Sequence, residues 1–516
     1  MLEDVPLVVL NEGVQTVTQP PEAATRLSQQ SPVVRRSTEA DIPIPSEESS
    51  EAMPANVINT LKRDIDRRAV SVERLGGLEI NIDVAEGLGG LASDASIDVG
   101  SMRRRTSPES LHVEDTVGRF IRRQVGGELS IRSHDVRPVK AYQTRLNRQG
   151  EQPFGGNGRP SPRTEESIEL GLVYLTSVQR DDGSWDLNEA GESELSEVDR
   201  SPVVIQSDTA ATGLCLLAFL GAGYHHRSDK YGLEIQSALQ YLIQHQKSDG
   251  DLYLPNDDES NKSAWLYSHA IASIALCEAY GMTQDPDLRR PAQLAVDFIV
   301  GAQSKRRGGW RYQPGIGSDT SVSGWMVMAM RSAELANLRV PIEVWDHVKN
   351  WLDGAQASIE NPQFYRYNPF APNRPTQVHG RRSSLTMTAV GLLMRMYTGW
   401  YRDDGPMVAG AHYLSDNLPS MGTPETPQRD TYYWYYATQV MFHMGGEYWQ
   451  KWNQELHPLL TSTQIQVGNL AGSWDPHHPM PDRWATQAGR LYVTTLNLLS
   501  LEVFYRHLPI YEDNAH

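Results

Sequence analysis

Residues Gly171 to Trp185 read GLVYLTSVQRDDGSW. Gly171, Tyr174, Leu175 and Gln179 recur at spacings that bring them to one side of a helix. Asp181-Asp182-Gly183 then makes a tight turn, because glycine takes a left-handed backbone without the clash of a Cβ. Trp185 is placed to fold back on the helix end. Gln179 is expected to hydrogen-bond the terminal helix carbonyls that lack partners, with the indole covering that bond. The unit is a clip that fastens one helix to the next element.

The clip recurs along the chain. Ala238, Tyr241 and Leu242 lead to Gln246 and Gly250. Ala295, Phe298 and Ile299 lead to Gln303, Gly308 and Trp310, and Leu460 leads to Gln464, Gly472 and Trp474. A fourth copy keeps Trp351, Leu352 and Gln356 with Tyr365 after them; a fifth, around Tyr413-Leu414, has no glutamine. Between the clips, two kinds of helical segment alternate. The amphipathic kind covers 165–178, 233–245, 290–302, 342–355, 404–417 and 447–462. The second kind is rich in apolar and small residues and covers 208–220, 267–280, 319–335, 384–397, 432–444 and 490–507. A helix that is apolar on most sides is buried on most sides, so the alternation predicts an inner and an outer layer. Asp208-Thr209-Ala210-Ala211-Thr212-Gly213 aligns without a gap on Asp319-Thr320-Ser321-Val322-Ser323-Gly324. The repeat is loose, about 50–60 residues per helix pair. The C-terminal RLYVTTLNLLSLEVFYRHLPIY lacks the polar cap that an open solenoid requires, so closure of six pairs into a ring is expected.

The pattern Gly171-x-x-Tyr174-Leu175-x-x-x-Gln179-x-x-x-Gly183-x-Trp185 resembles the QW repeat of squalene-hopene and oxidosqualene cyclases. More broadly it resembles the prenyltransferase and squalene oxidase repeat. It departs at Leu170, where a basic residue often opens that repeat. The resemblance implies an all-α fold, an α/α toroid of six inner and six outer helices. It also implies a structural role for Gln179, Gly183, Trp185, Gln246, Gln303, Trp310, Gln464 and Trp474.

For chemistry, the resemblance implies a neutral carboxylic acid that protonates an alkene from an Asp-x-Asp-Asp-Thr-Ala motif at an inner-helix start. The matching text is Ile205-Gln206-Ser207-Asp208-Thr209-Ala210, where Ser207 stands in the donor's place. Ile316-Gly317-Ser318-Asp319-Thr320 shows the same loss. Asp208 and Asp319 are therefore the candidate acids; alternatively they, with Ser384, are helix N-caps. The Zn²⁺ ligands of the related protein prenyltransferases have no counterpart, since Cys215 and Cys277 lie mid-helix as packed thiols. No metal or cofactor is expected, and His477-His478 reads as a solvated loop. The inner-helix starts are expected to edge a central cavity, with Tyr267, His269, Trp325, Ser384, Tyr432, Trp434, Arg490 and Tyr492 around a ligand. Such aromatic faces suit an apolar chain, a cation or a sugar ring.

A formal net charge of -17 disfavours nucleic acid as a partner. No apolar run reaches the ~18 residues of a membrane span, and no signal-peptide pattern opens the chain, so the cytoplasm is the default compartment. All 12 tryptophans lie after residue 160. Residues 1–160 are expected to be largely disordered, with too little apolar surface to offset chain entropy, and 161–516 to form the toroid. Short helices are expected at 56–72 and 113–125. The clusters Arg35-Arg36 and Arg103-Arg104-Arg105 belong to a solvated tail or to a dock for an acidic protein partner. Three functions stay open: a cyclase-like enzyme acting on a hydrophobic isoprenoid or lipid-like ligand, a non-catalytic toroid that binds a lipid or protein segment, and a carbohydrate-active enzyme with Asp208 and Asp319 as acid and base.

Overall fold

The computed structural model describes residues 140–146, 159–188, 203–375 and 377–507. The helices expected at 56–72 and 113–125 lie outside these residues, as do both arginine clusters. Helix α1 (Lys140–Leu146) comes first, inside the stretch expected to be largely disordered. Six pairs follow, outer member first. They are α2 (Pro162–Ser177) with α3 (Asp208–Gly221), and α4 (Gly232–Gln244) with, after the short α5 (Asp258–Ser263), α6 (Trp265–Thr283). Next come α7 (Pro286–Ala302) with α8 (Thr320–Leu335), and α9 (Ile342–Ala355) with α10 (Leu385–Tyr397). The last two pairs are α11 (Gly405–Ser415) with α12 (Thr431–Met444), and α13 (Gly446–Thr463) with α14 (Ala485–Leu501); α15 (Val503–Arg506) is the last helix among the described residues.

The layers follow from side-chain periodicity. In α9, Val344, Trp345, Val348, Trp351, Leu352 and Ala355 are buried, one stripe of an otherwise wet helix. In α12 every residue from Thr431 to Met444 is buried. Each inner helix packs on the next, α3 on α6, α6 on α8, α8 on α10, α10 on α12 and α12 on α14. Helix α14 then packs back on α3, and α13 on α2. Both layers close, and the fold is an (α/α)6 toroid. Within α14, Gly489 has φ 72°, so the regular inner helix starts at Arg490. Among the described residues no helix is long and apolar enough to cross a membrane.

The clips differ from expectation in one respect: the indole, not the glutamine, takes the carbonyl of the preceding helix. Trp185, Trp310 and Trp474 donate Nε1–H to Leu175, Ile299 and Leu460 carbonyls at 2.8–2.9 Å. The glutamine amides instead tie two neighbouring segments together. Gln179 Nε2 reaches Gly183 O in its own turn and Glu234 O in the next outer helix, both at 3.0 Å. Gln246 does the same with Gly250 O and Pro291 O, Gln303 with Gly308 O and Val344 O, and Gln464 with Gly472 O and Ser167 O. The last of these closes the ring. Three residues beyond each bonded carbonyl, the outer-helix backbone meets the clip glycine. Gly183, Gly250, Gly308 and Gly472 have φ between 83° and 97°. A Cβ on Gly308 would stand 2.1 Å from His347 O, and one on Gly472 2.1 Å from Leu170 O. Glycine is required here by the left-handed backbone and by the close approach together.

Candidate functional site

The clip also sets the register of the inner helices. After each turn, a backbone N–H meets a side chain one turn into the inner helix: Trp185 N–H donates to Thr212, Trp310 N–H to Ser323, Tyr365 N–H to Thr388 and Trp474 N–H to Thr494. In the second pair the acceptor is His269 Nδ1, 3.1 Å from Leu252 N, while its Nε2 lies 3.1 Å from Ala295 O. His269 is therefore fully buried toward the outer layer and does not line the cavity, contrary to expectation. Trp434 stands four residues after its helix cap, Asp430, as Ser323 does after Asp319. It is buried and likewise absent from the cavity wall.

The candidate carboxylates take different places. Helix α3 is capped by Ser207, whose Oγ accepts from Ala210 N at 3.1 Å, so Asp208 is not the cap. Asp208 faces Arg180 at 3.0 Å, and that guanidinium also holds Asp186. Burial raises the Asp208 pKa, with Arg180 acting against it. Asp319 does cap its helix, Oδ1 accepting from Val322 N at 2.8 Å. Its Oδ2 is buried without a hydrogen-bond partner, and the nearest cation is Arg311 Nε at 3.8 Å. Burial pushes this carboxyl up to about 6, although Arg311, the capping N–H groups and the nearby Tyr367 hydroxyl favour its ionised form. Neither aspartate is in the cavity wall. Ser384 caps α10 through Met387 N at 3.2 Å. Arg490 does not face the hollow: it is buried against Ser473 Oγ at 3.3 Å and Asp475 Oδ2 at 3.4 Å.

The cavity at the N-terminal ends of the inner helices measures about 120 Å³. Tyr267, Trp325, Tyr432 and Tyr492 line it, together with Leu214, Ile271 and Trp484. Its polar wall is a chain of hydroxyls. Tyr267 OH donates to Ser321 Oγ at 2.7 Å, and Ser321 Oγ lies 2.8 Å from Tyr432 OH. Trp325 stacks on Tyr435 with ring centres 5.5 Å apart, and Tyr435 OH meets Met328 Sδ at 3.8 Å and Arg506 Nη1 at 3.0 Å. Tyr435 thus lies between this cavity and the far end of the ring.

Sequence reading missed Asp430, Asp482 and Trp484. Asp430 caps α12 through Tyr433 N at 2.9 Å and accepts from Trp484 Nε1 at 3.2 Å, fixing that indole at the cavity. Asp482 is buried and accepts from Thr431 N at 3.0 Å; burial raises its pKa, with Arg429 opposing. The signal was present: Asp430-Thr431 repeats, at equal spacing, the Asp-Thr of 208–209 and 319–320.

No protein-family model matches the chain, and no curated protein does. Among solved structures, the α-1,6-mannanase GH76A from Salegentibacter sp. HEL1_6 is similar with a TM-score of 0.44 at 10% identity, covering 66% of this chain and 98% of that one. An α-amylase from Clostridium perfringens is similar with a TM-score of 0.43 at 11% identity, covering 65% and 97%. The type II terpene cyclase MstE from Scytonema is similar with a TM-score of 0.43 at 13% identity, covering 68% and 100%.

Proposed function

We propose that the toroid is a receptor for a compact apolar group, of the size of one isoprenoid unit or a short hydrocarbon end, held in the cavity at the inner-helix starts. The observation that carries this is the wall itself: aromatic and aliphatic side chains make most of it, and three of its hydroxyls, those of Tyr267, Ser321 and Tyr432, bond one another. Size sets the class. An engineered cavity of about 150 Å³ takes benzene, and this one is about 120 Å³. Pockets for drug-sized molecules run from roughly 300 Å³ upward, so a thirty-carbon squalene finds no room. Apolar burial drives such binding at about 25 cal/mol per Å² of surface removed from water. The chain is then a QW-repeat, terpenoid cyclase-like protein in its clips and a hydrocarbon binder in its cavity. Titration with isoprenol, followed by the fluorescence of Trp325 and Trp484, tests it. A saturable change is expected, and Ala210→Phe, which fills the hollow, should abolish it. Equal responses from both proteins would remove the proposal.

A second function, acid catalysis on an alkene, is favoured by one observation: Asp319 is buried, half-partnered and pushed up to about 6. Its carboxyl would reach the hollow only past the Tyr267–Ser321–Tyr432 hydroxyls. Incubation with short prenyl alcohols checks this. A cyclised product that disappears in Asp319→Asn supports it, and the absence of any product ends it. The carbohydrate function finds no carboxylate in the wall of this cavity: Asp208 pairs with Arg180 and Asp319 caps its helix.

A further inference from the structure

The opposite end of the ring encloses a second cavity, of about 220 Å³. The last turns of α6, α8, α10 and α12 form its walls, with α1 and the end of α15. Three guanidiniums line it, Arg145, Arg331 and Arg506, against the single carboxylate of Glu278. Arg145 and Arg506 are 3% and 4% exposed. Glu278 takes one arginine on each oxygen, Arg145 Nη1 at 2.6 Å and Arg506 Nη2 at 3.4 Å. The other neighbouring carboxylates stand outside the wall. Glu334 holds Arg331 at 3.0 Å while accepting the Trp345 indole N–H from the outer layer. Glu502 approaches Arg506 from the side of Gly221. Glu278 shares the wall with the guanidiniums, while Arg145 Nε is spent on Arg506 O and Arg506 Nη1 on Tyr435 OH.

Three wall atoms have no hydrogen-bond partner: Arg506 Nε, Gln439 Oε1 and His507 Nε2. Burial, aided by Arg331, lowers the His443 pKa to about 3. Burial, aided by Arg506, His443 and Arg145, lowers that of His507.

We propose that this second cavity is a binding site for a small oxyanion, a carboxylate or a phosphate, gripped by Arg145, Arg331 and Arg506. The planar guanidinium matches both ligand classes bidentately, and a buried guanidinium N–H that has no partner gains most from such a bond. Because Arg145 belongs to α1, the anion also pins the segment Lys140–Leu146 to the ring. The site is independent of the apolar cavity and stands if that one proves empty.

Crystals soaked in selenate give the direct test. An anomalous peak among the three arginines is expected, and water alone there overturns the proposal. In solution, calorimetry with inorganic phosphate and with malonate should show saturable binding, the tighter of the two naming the class. Arg331 has 35% of its side chain exposed, so Arg331→Gln should fold and bind about tenfold more weakly. Amide exchange across α1 should slow when the tighter anion is bound. No saturable binding of either anion, or an affinity unchanged in the variant, would overturn the assignment.

Discussion

The two ends of the inner ring differ in whether their fastenings repeat. At the N-terminal end, neutral groups repeat the same pattern around the circle: an indole on a carbonyl, a glutamine amide across two segments, a hydroxyl on a backbone N–H. At the C-terminal end, ions that occur once each join distant parts of the chain, with Glu278 between Arg145 and Arg506. The first end encloses an apolar hollow and the second a polar one. A toroid needs its outer layer tied at every step, which repetition supplies. A unique ligand or docking contact needs residues that break the repeat.

Breaking one member at each end separates the two modes. Trp310 is fully buried and bonds Ile299 O, so Trp310→Ala should lower the free energy of unfolding by about 3–5 kcal/mol in chemical denaturation. Glu278→Ala leaves two buried guanidiniums without their shared carboxylate and should cost a similar ~3–5 kcal/mol. Only the second variant should also free α1, seen as faster amide exchange across Lys140–Leu146. Release of α1 by both would show that the ends are not independent.

Asp319 sharpens the contrast through pH. Below its ordinary pKa of 3.8 the carboxyl is protonated both folded and unfolded. As pH rises from there to about 6, the unfolded chain ionises first, so stability falls. Above that value the loss is complete, on the order of 3 kcal/mol. Asp319→Asn keeps a capping oxygen and removes the charge. Its stability relative to the parent chain should therefore rise between pH 4 and pH 7 by that amount, and a flat difference would mean that the carboxyl stays ionised throughout.

The smallest effect compares two clips. Gln303 spans to the next outer helix, whereas Gln356 Nε2 reaches Pro362 O within its own loop at 3.1 Å. Gln303→Ala strands buried polar partners and should cost about 1–3 kcal/mol; Gln356→Ala should cost about 1 kcal/mol or less. Equal losses would show that bridging to the next outer helix is not what the glutamine contributes.

How much was legible depended on whether a residue belonged to the repeat. Gln179, Gly183 and Trp185 announced their clip because the same geometry had to be rebuilt several times from similar residues. Tyr267, Trp325, Tyr432 and Tyr492 were placed at the cavity because register along a helix follows from spacing. His269, Trp434 and Arg490 were misplaced because an inner helix is buried all round, and periodicity then no longer separates the face toward the hollow from the face toward the clips. Glu278 and Arg145 carried no signal at all. Their meeting joins positions 133 residues apart, in α6 and in a segment that composition alone marked as disordered.

From the chain's text alone came two layers of helices, their order and the turns that staple them, since periodicity, glycine and glutamine act over a few residues. Which carboxyl is stranded without a partner, how large each hollow is, and which charges share the far end were decided only by closure of the ring. Burial and Coulomb interactions depend on what stands across a gap, and what stands there is set when α14 meets α3.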